Sequence, residues 1–535
     1  MKIVLAEKVS PATLAVLKQE SDWNVVTHDQ IKDGLANELA DADALVVRSA
    51  VQVDAKLLES APKLRVIGRA GVGVDNIDAP AATHRGIVVM NTPGANAVAV
   101  AELTLGLMVT MARSIPRANS TMHAGKWEKK TLQGTELRGK TLGIVGLGRI
   151  GLEVARRARA FGMELIGYDP FVAPVIAREN GVTLVAIDDL FRNSDYISLH
   201  VGLTPQTEGL INAHSIAIMK KGVRILNCAR GELIVDEALV EGLKSGQVGG
   251  AALDVFTKEP LKDSAYFELD NVYLSPHIAG STDEAQEAIG IQLANQVRDY
   301  LKLGVVQNAV NVPSLSREEY VDVAPFVDLA SRLGGFLSHA TPGNLESIQI
   351  TYGGRLAQMK TDLLRNAVLA GILGDSDQVN QINAAAVAQE RGLRVQEDKK
   401  EFTQGGAGTV LKLALHSAEG DVTASATVLH GNSPRLLAFD GIDIEAPLTG
   451  TLIFIRNHDV PGVIGRIGTI LGEHQINVAN FALGRNVRSQ KVPQGQAIAV
   501  VQVDVPSVAK LQPAIEALKK VEAIVNVRVV DLPRL

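Results

Sequence analysis

The sequence predicts an α/β protein in which two lobes built on parallel sheets are followed by two α+β domains. Three observations carry this. Residues 140–170 read as strand, glycine turn, helix, strand and acid. Strand and helix signals alternate from residue 1 to residue 303, and residues 451–535 follow the order βαββαβ.

The first observation is the most informative. The apolar run 141–145 leads directly into Gly146-Leu147-Gly148-Arg149-Ile150-Gly151, apolar residues then recur at helical spacing to Phe161, and a second strand over 163–168 ends in Asp169. This is the context of a Rossmann-type dinucleotide site. Gly146 permits the tight turn, Gly148 lets backbone approach a pyrophosphate, and Gly151 lets helix and strand pack closely. The helix start offers unpaired N–H groups and a positive dipole end to phosphates. Asp169 suits the adenosine ribose and repels a 2′-phosphate, which favours NAD over NADP.

A chain of 535 residues is too long for one core and implies several domains. With 46% hydrophobic and 21% charged residues it is of ordinary globular composition. A net charge of −6 and a pI near 6.0 give no reason to expect nucleic acid or an anionic membrane as partner. No apolar run is long enough to cross a bilayer. The single cysteine, Cys228, excludes an internal disulfide framework and a cysteine-cluster metal site, so no metal is expected and a cytoplasmic enzyme is the natural inference.

Strand signals at 3–6, 24–27, 44–47, 65–68 and 87–90 make residues 1–96 a small, flavodoxin-like α/β lobe, completed by 283–315. It holds a second glycine turn, Arg69-Ala70-Gly71-Val72-Gly73-Val74-Asp75-Asn76, which lacks a third glycine in register and reads as a backbone cradle for a carboxylate. An apolar helix from Asn96 to Arg113 crosses into the nucleotide-binding lobe, 97–282, whose further strands are expected at 196–200, 224–227, 249–254 and 272–275. Residues 316–450 mix helices (324–337, 359–373) with strands (348–352, 409–416, 421–428) as an intervening α+β domain. Residues 451–535 form a ferredoxin-like sandwich with no catalytic constellation, suited to binding or assembly.

If the 146–169 motif holds a nicotinamide, the opposing chemistry needs a base for the hydroxyl proton and a cation for the substrate and its forming carbonyl. Three segments lie just beyond predicted strands, where ligands bind in open α/β sheets. They are Asn227 to Gly231, Asp254 to Pro260 and Ser275 to Thr282. Arg230 can grip a carboxylate and polarise a carbonyl. His277 can take the proton, and Glu259 can hold its other ring nitrogen. Taken singly, each also has a structural reading: a surface ion pair, a loop residue before proline, a strand cap.

Together these segments resemble the D-isomer-specific 2-hydroxyacid dehydrogenases. Val47-Arg48-Ser49-Ala50, the 68–76 turn and Met90 to Asn96 resemble the branch that acts on 3-phosphoglycerate, and Asp459-Val460-Pro461-Gly462 with Ile476-Asn477 resembles an ACT domain. The resemblance implies Arg230, Glu259 and His277 as catalytic trio. It implies NAD contacts at Val72, Gly146, Gly148, Arg149, Ile150, Gly151, Asp169, Val201, Cys228, Ala229, Arg230, Asp254, His277, Ala279 and Gly280. Substrate contacts carried over are Arg48, Arg69, Gly71, Val72, Gly73 and Asn96. The implied reaction is oxidation of 3-phosphoglycerate to 3-phosphohydroxypyruvate, the opening step of serine synthesis, with 2-oxoglutarate reduction as a side activity.

The resemblance further implies L-serine as effector at Asn457, Asp459 and Asn477, with Asn457 where serine-binding relatives carry His or Tyr, and a homodimer or homotetramer. Two alternatives stay open at this point: a glycerate or glyoxylate dehydrogenase of the same family, and an NADH-sensing regulator that keeps the same three residues. Glu259 in place of glutamine argues against a formate enzyme.

Overall fold

The computed structural model describes residues 1–313, 317–374, 379–400, 408–486 and 495–533, so the expected domain boundary at 315/316 and the last two residues of the 451–535 domain lie outside them. Four sheets organise the chain. The first comprises β1 (Lys2–Leu5), β2 (Asn24–Val26), β3 (Ala44–Val47), β4 (Val66–Arg69) and β5 (Val88–Met90), all parallel in the order β2-β1-β3-β4-β5. That is the flavodoxin-like order, with both faces apolar because helices cover both.

The second sheet is also parallel. Its strands are β6 (Thr141–Val145), β7 (Glu164–Tyr168), β8 (Thr183–Leu184), β9 (Tyr196–Leu199), β10 (Val223–Asn227), β11 (Val248–Leu253) and β12 (Val272–Leu274), in the order β12-β11-β10-β9-β6-β7-β8. The order reverses between β6 and β9, which leaves a crevice at their C-terminal ends. The two-residue β8 was not expected, being too short to show a period. Helix Ala97–Arg113 buries ten of its side chains against this lobe. Helix Asp283–Leu303 returns to the first lobe, where Ile289, Leu293 and Val297 pack with Ile3, Leu5 and Val66. The return is tied by Val310 N–H donating to Val89 O and Val89 N–H to Asn311 Oδ1.

In the third sheet β13 (Leu345–Gly354), β14 (Arg394–Lys400), β15 (Thr409–Ser417), β16 (Gly420–Leu429), β17 (Ser433–Phe439) and β18 (Ile442–Pro447) stand in the order β14-β13-β15-β16-β17-β18. The sequence reading omitted three of these. β14 is polar (RVQEDKK) and sits at the edge, so no apolar face announces it. β17 and β18 form a hairpin on Asp440-Gly441, both at positive φ (48° and 78°), the geometry of a two-residue type I′ turn.

The fourth sheet has β19 (Gly450–His458), β20 (Asn477–Arg485), β21 (Gln496–Asp504) and β22 (Ile524–Leu532) in the order β20-β21-β19-β22, with helices Val463–Glu473 and Gln512–Lys519 on one face. Its other face is buried against the third sheet's helices. Leu452, Phe454 and Val500 join Leu333, Phe336 and Phe439 in one core, and the Phe336 and Phe454 rings meet edge to face at 5.7 Å. The buried Arg332 crosses the junction to the Leu448 carbonyl at 3.2 Å and to that of Pro533.

Among the described residues no single helix is long and apolar enough to cross a membrane. Helices Ala97–Arg113 and Ile115–His123 pass such a test only as a pair, bent by 64°.

Candidate active site

The glycine turn between β6 and helix Arg149–Ala160 is shaped by two close approaches. Gly146 has φ +92°, and a Cβ there would lie 2.5 Å from the His200 carbonyl oxygen; a Cβ on Gly151 would lie 2.0 Å from the Gly146 carbonyl oxygen. Gly148 differs, since a Cβ there would meet nothing within 4 Å. The space before the uncapped helix start is therefore open, with no side chain accepting from its first N–H groups. Asp169 closes the turn: Oδ2 accepts from Leu147 N–H at 2.8 Å and Oδ1 from Phe171 and Val172 N–H at 2.8 and 3.1 Å. Gly146, Gly148, Gly151, Arg149 and Asp169 stand outside the main cleft, while Ile150 lines it. The Arg149 side chain instead reaches the first lobe and donates to the Pro93 carbonyl.

The cleft between the lobes encloses about 1220 Å³. The first lobe contributes Arg48, Arg69, Gly71, Val72, Gly73 and Asn96, the second Val201, Cys228, Ala229, Arg230, Glu259, His277, Ala279 and Gly280. The expected substrate residues and part of the expected coenzyme set therefore meet at one site, while Gly146, Gly148, Arg149, Gly151, Asp169 and Asp254 do not line it.

Three loops after β10, β11 and β12 position the chemistry. His277 takes φ +53°, and its Nδ1 lies 2.7 Å from Glu259 Oε2, while Glu259 Oε1 accepts from Phe256 N–H at 3.0 Å. A carboxylate only accepts, so His277 carries its proton on Nδ1 and presents the Nε2 lone pair. Asp254, carried over as a coenzyme contact, anchors the neighbouring loop. It is fully buried behind the wall, where Oδ1 accepts from Ser275 Oγ–H and Ile278 N–H, and Oδ2 from Ala279 N–H at 2.8 Å. It thereby holds the His277 loop in place.

Arg230 is held by its own turn. Asn227 Nδ2 donates to the Arg230 carbonyl at 2.7 Å and Asn227 Oδ1 accepts from Ala229 N–H at 3.0 Å. The guanidinium donates from Nη1 to the Ala229 carbonyl at 2.6 Å, and its Nε lies 3.2 Å from Asp75 Oδ2 of the first lobe as an ion pair.

The first lobe's turn makes room for cations. A Cβ on Gly71 (φ +149°) would lie 1.5 Å from Arg69 Nη1, and one on Gly73 2.0 Å from Arg230 Nη2. Arg69 donates from Nη1 to the Ala70 carbonyl at 3.0 Å, and its buried Nε has no partner among the described residues. Burial, and next the Arg230 charge, push the Arg69 pKa below its ordinary value. Arg48 is steadied through its backbone, donating from N–H to Glu7 Oε1 at 2.9 Å and accepting from Asn76 Nδ2 at 3.0 Å. Asn96 Oδ1 is buried and unpartnered among the described residues.

Two wall residues are neutral. Burial pushes the Cys228 thiol up to about 12, so it packs as a neutral group. His200 has its ring Nε2 2.7 Å from Ser198 Oγ and is pushed down to about 4 by burial, which keeps it neutral. Among the described residues no cluster of His, Cys, Asp or Glu could hold a metal ion.

In the fourth sheet the three effector candidates are already engaged. Asp459 Oδ2 pairs with Arg485 at 2.7 Å, Asn477 Nδ2 donates to Asp504 Oδ2 at 2.8 Å, and the buried Asn457 donates from Nδ2 to the His458 carbonyl at 2.8 Å, its Oδ1 without a partner among the described residues. Sequence reasoning singled out neither Arg485 nor Asp75; each finds its partner only through strand or lobe packing.

Comparison with known proteins follows the same division. Residues 105–279 match the NAD binding domain of D-isomer specific 2-hydroxyacid dehydrogenases, 322–440 the D-3-phosphoglycerate dehydrogenase intervening domain, and 451–523 the ACT domain. The chain is 40% identical to D-3-phosphoglycerate dehydrogenase of Methanocaldococcus jannaschii over 99% of its own length and 100% of the relative. It is 36% identical to that of Bacillus subtilis over the same shares. Among solved structures, D-lactate dehydrogenase from Aquifex aeolicus complexed with NAD and lactic acid is 29% identical with a TM-score of 0.52, covering 59% of this chain and 100% of that one. An NAD-dependent formate dehydrogenase from Staphylococcus aureus in complex with NAD is 28% identical with a TM-score of 0.53, over the same shares.

Proposed function

The chain belongs to the D-3-phosphoglycerate dehydrogenases, within the D-isomer specific 2-hydroxyacid dehydrogenases, and from that premise we propose how its residues oxidise 3-phospho-D-glycerate to 3-phosphohydroxypyruvate. It is an NAD-dependent oxidoreductase that opens serine synthesis. The residues present fit the coenzyme: Gly148 leaves open space before an uncapped helix start, and Asp169 stands at the adjoining strand end. NAD supplies the hydride acceptor.

The observation that carries the reading is the 2.7 Å contact of His277 with Glu259 on the wall that also bears Arg230. His277 Nε2 accepts the hydroxyl proton, and Glu259 steadies the imidazolium that results. Arg230 holds the carboxylate end and the oxygen that becomes a carbonyl, while Arg48 and Arg69 meet the phosphate. In reduction His277 returns the proton. 2-Oxoglutarate, also anionic at both ends, fits the same cations and is expected to be reduced slowly to 2-hydroxyglutarate.

The test is the initial rate of 3-phosphohydroxypyruvate reduction by NADH. His277→Ala should lower kcat by about 10²–10⁴, and Arg48→Ala should chiefly raise KM. A His277→Ala enzyme at full rate would sink the reading. Protein that binds NADH yet turns over no 2-hydroxy acid would favour a regulator.

The ACT domain points to an amino-acid effector, which we take to be L-serine. Its ammonium would compete with Arg485 for Asp459, and saturating serine that changes neither turnover nor melting temperature would refute this. We also propose a homodimer or homotetramer. Val98, Ile115, Met122 and Trp127 are exposed in succession, Trp127 by 79%, and light scattering checks whether that surface is covered in solution. We place the enzyme in the cytoplasm, in keeping with its single, buried thiol.

A further inference from the structure

The ion pair between Asp75 and Arg230 has no task in the scheme above. It joins the two lobes across the cleft: Asp75 follows β4 in the first lobe, and Arg230 follows β10 in the second. Two of the three guanidinium nitrogens of Arg230 are engaged, Nη1 by a hydrogen bond to the Ala229 carbonyl and Nε by the ion pair with Asp75 at 3.2 Å. The third, Nη2, passes so close to Gly73 that a single added carbon would displace it. Asp75 itself is 68% exposed, so the fold does not need it as a buried anchor.

Charge gives a second reason. Arg48, Arg69 and Arg230 line one cleft, and Glu7, the nearby carboxylate of the first lobe, is occupied by backbone N–H groups at Arg48, Ala50 and Val51. Glu259 faces His277. Among the described residues Asp75 is therefore the carboxylate that forms an ion pair with one of these three arginines, the one that carries the reacting end of the acid.

We propose that Asp75 is a positioning residue for hydride transfer. It draws Arg230 to itself at Nε, which with Nη1 on the Ala229 carbonyl leaves Nη2 for the acid, and it tempers the field of the three arginines. The proposal rests on the reading that a phosphorylated 2-hydroxy acid is oxidised in this cleft. Its signature is a split of kinetic constants. Without the carboxylate the guanidinium swings, so turnover falls. The cleft also gains one positive charge, so capture of the anionic acid improves.

The experiment uses the full chain with NADH and 3-phosphohydroxypyruvate at low and high salt, comparing wild type with Asp75→Asn and Asp75→Glu. Asp75→Asn should keep its melting temperature and NADH dissociation constant, lose about tenfold in kcat and lower KM about two- to fivefold at low salt, an advantage that shrinks at high salt. Asp75→Glu should recover kcat to within about threefold of wild type, since it restores the carboxylate. A kcat of Asp75→Asn within twofold of wild type, or a raised KM, overturns the proposal. So does a loss of kcat matched by a loss of NADH affinity or melting temperature in both variants, which would make Asp75 part of the fold. Wild type that fails to reduce the acid overturns the functional reading first, a result separate from any behaviour of the variants.

Discussion

The two glycine turns of the catalytic region look alike in sequence and solve opposite problems. In 146–151 the glycines admit backbone: Gly151 lies against the Gly146 carbonyl and Gly146 against that of His200. In 69–76 they admit side chains: Gly71 makes room for the guanidinium of Arg69, and Gly73 for that of Arg230. The first turn thus builds a rigid surface of N–H groups for phosphates, and the second lets cations converge on a small acid. A turn that yields to backbone serves a coenzyme, and one that yields to arginine serves a substrate.

Substitutions can break this comparison. Gly151→Ala should have the largest effect, because the clash at 2.0 Å is with a carbonyl that cannot step aside. It should cost about 1–3 kcal/mol or more of stability and abolish NADH binding, read by melting temperature and fluorescence titration. Gly73→Ala should be milder, since a guanidinium is a flexible end. We expect kcat/KM for the acid to fall about tenfold with NADH affinity unchanged, and a loss of NADH affinity would erase the distinction between the turns. Gly148→Ala sharpens it further. Nothing lies within 4 Å of its Cβ position, so the melting temperature should hold while NADH binding weakens several-fold.

The smallest effect concerns acid. His200 is pushed down from 6.5 to about 4 in the folded chain, so between those values the unfolded chain binds more protons. Its contribution to stability is complete above about pH 6.5 and is lost as pH falls towards 4. The melting temperature should decline across that window, and His200→Gln should flatten the decline.

Much of this site was legible before any coordinate. The trio Arg230, Glu259 and His277 and the turn 146–151 follow strands whose apolar runs announce them, and each stretch keeps its meaning within a few residues. The Asp440-Gly441 hairpin was equally local and was passed over, as was polar β14, which has no buried face to betray it. Asp254 illustrates a subtler loss. Its place after β11 marks it as belonging to the site, yet only burial shows that it serves the His277 loop.

The sequence by itself determined the strand order of events, the coenzyme turn with its acid, and the residue types that hydride chemistry requires, because these depend on local periodicity and on glycines at short spacing. Tertiary structure alone decided that Asp75 meets Arg230, that Arg485 takes Asp459, and that the third and fourth sheets close over one core containing Phe336, Phe439 and Phe454. Such contacts join residues far apart along the chain. Their formation depends on how whole elements pack, and no local pattern records that.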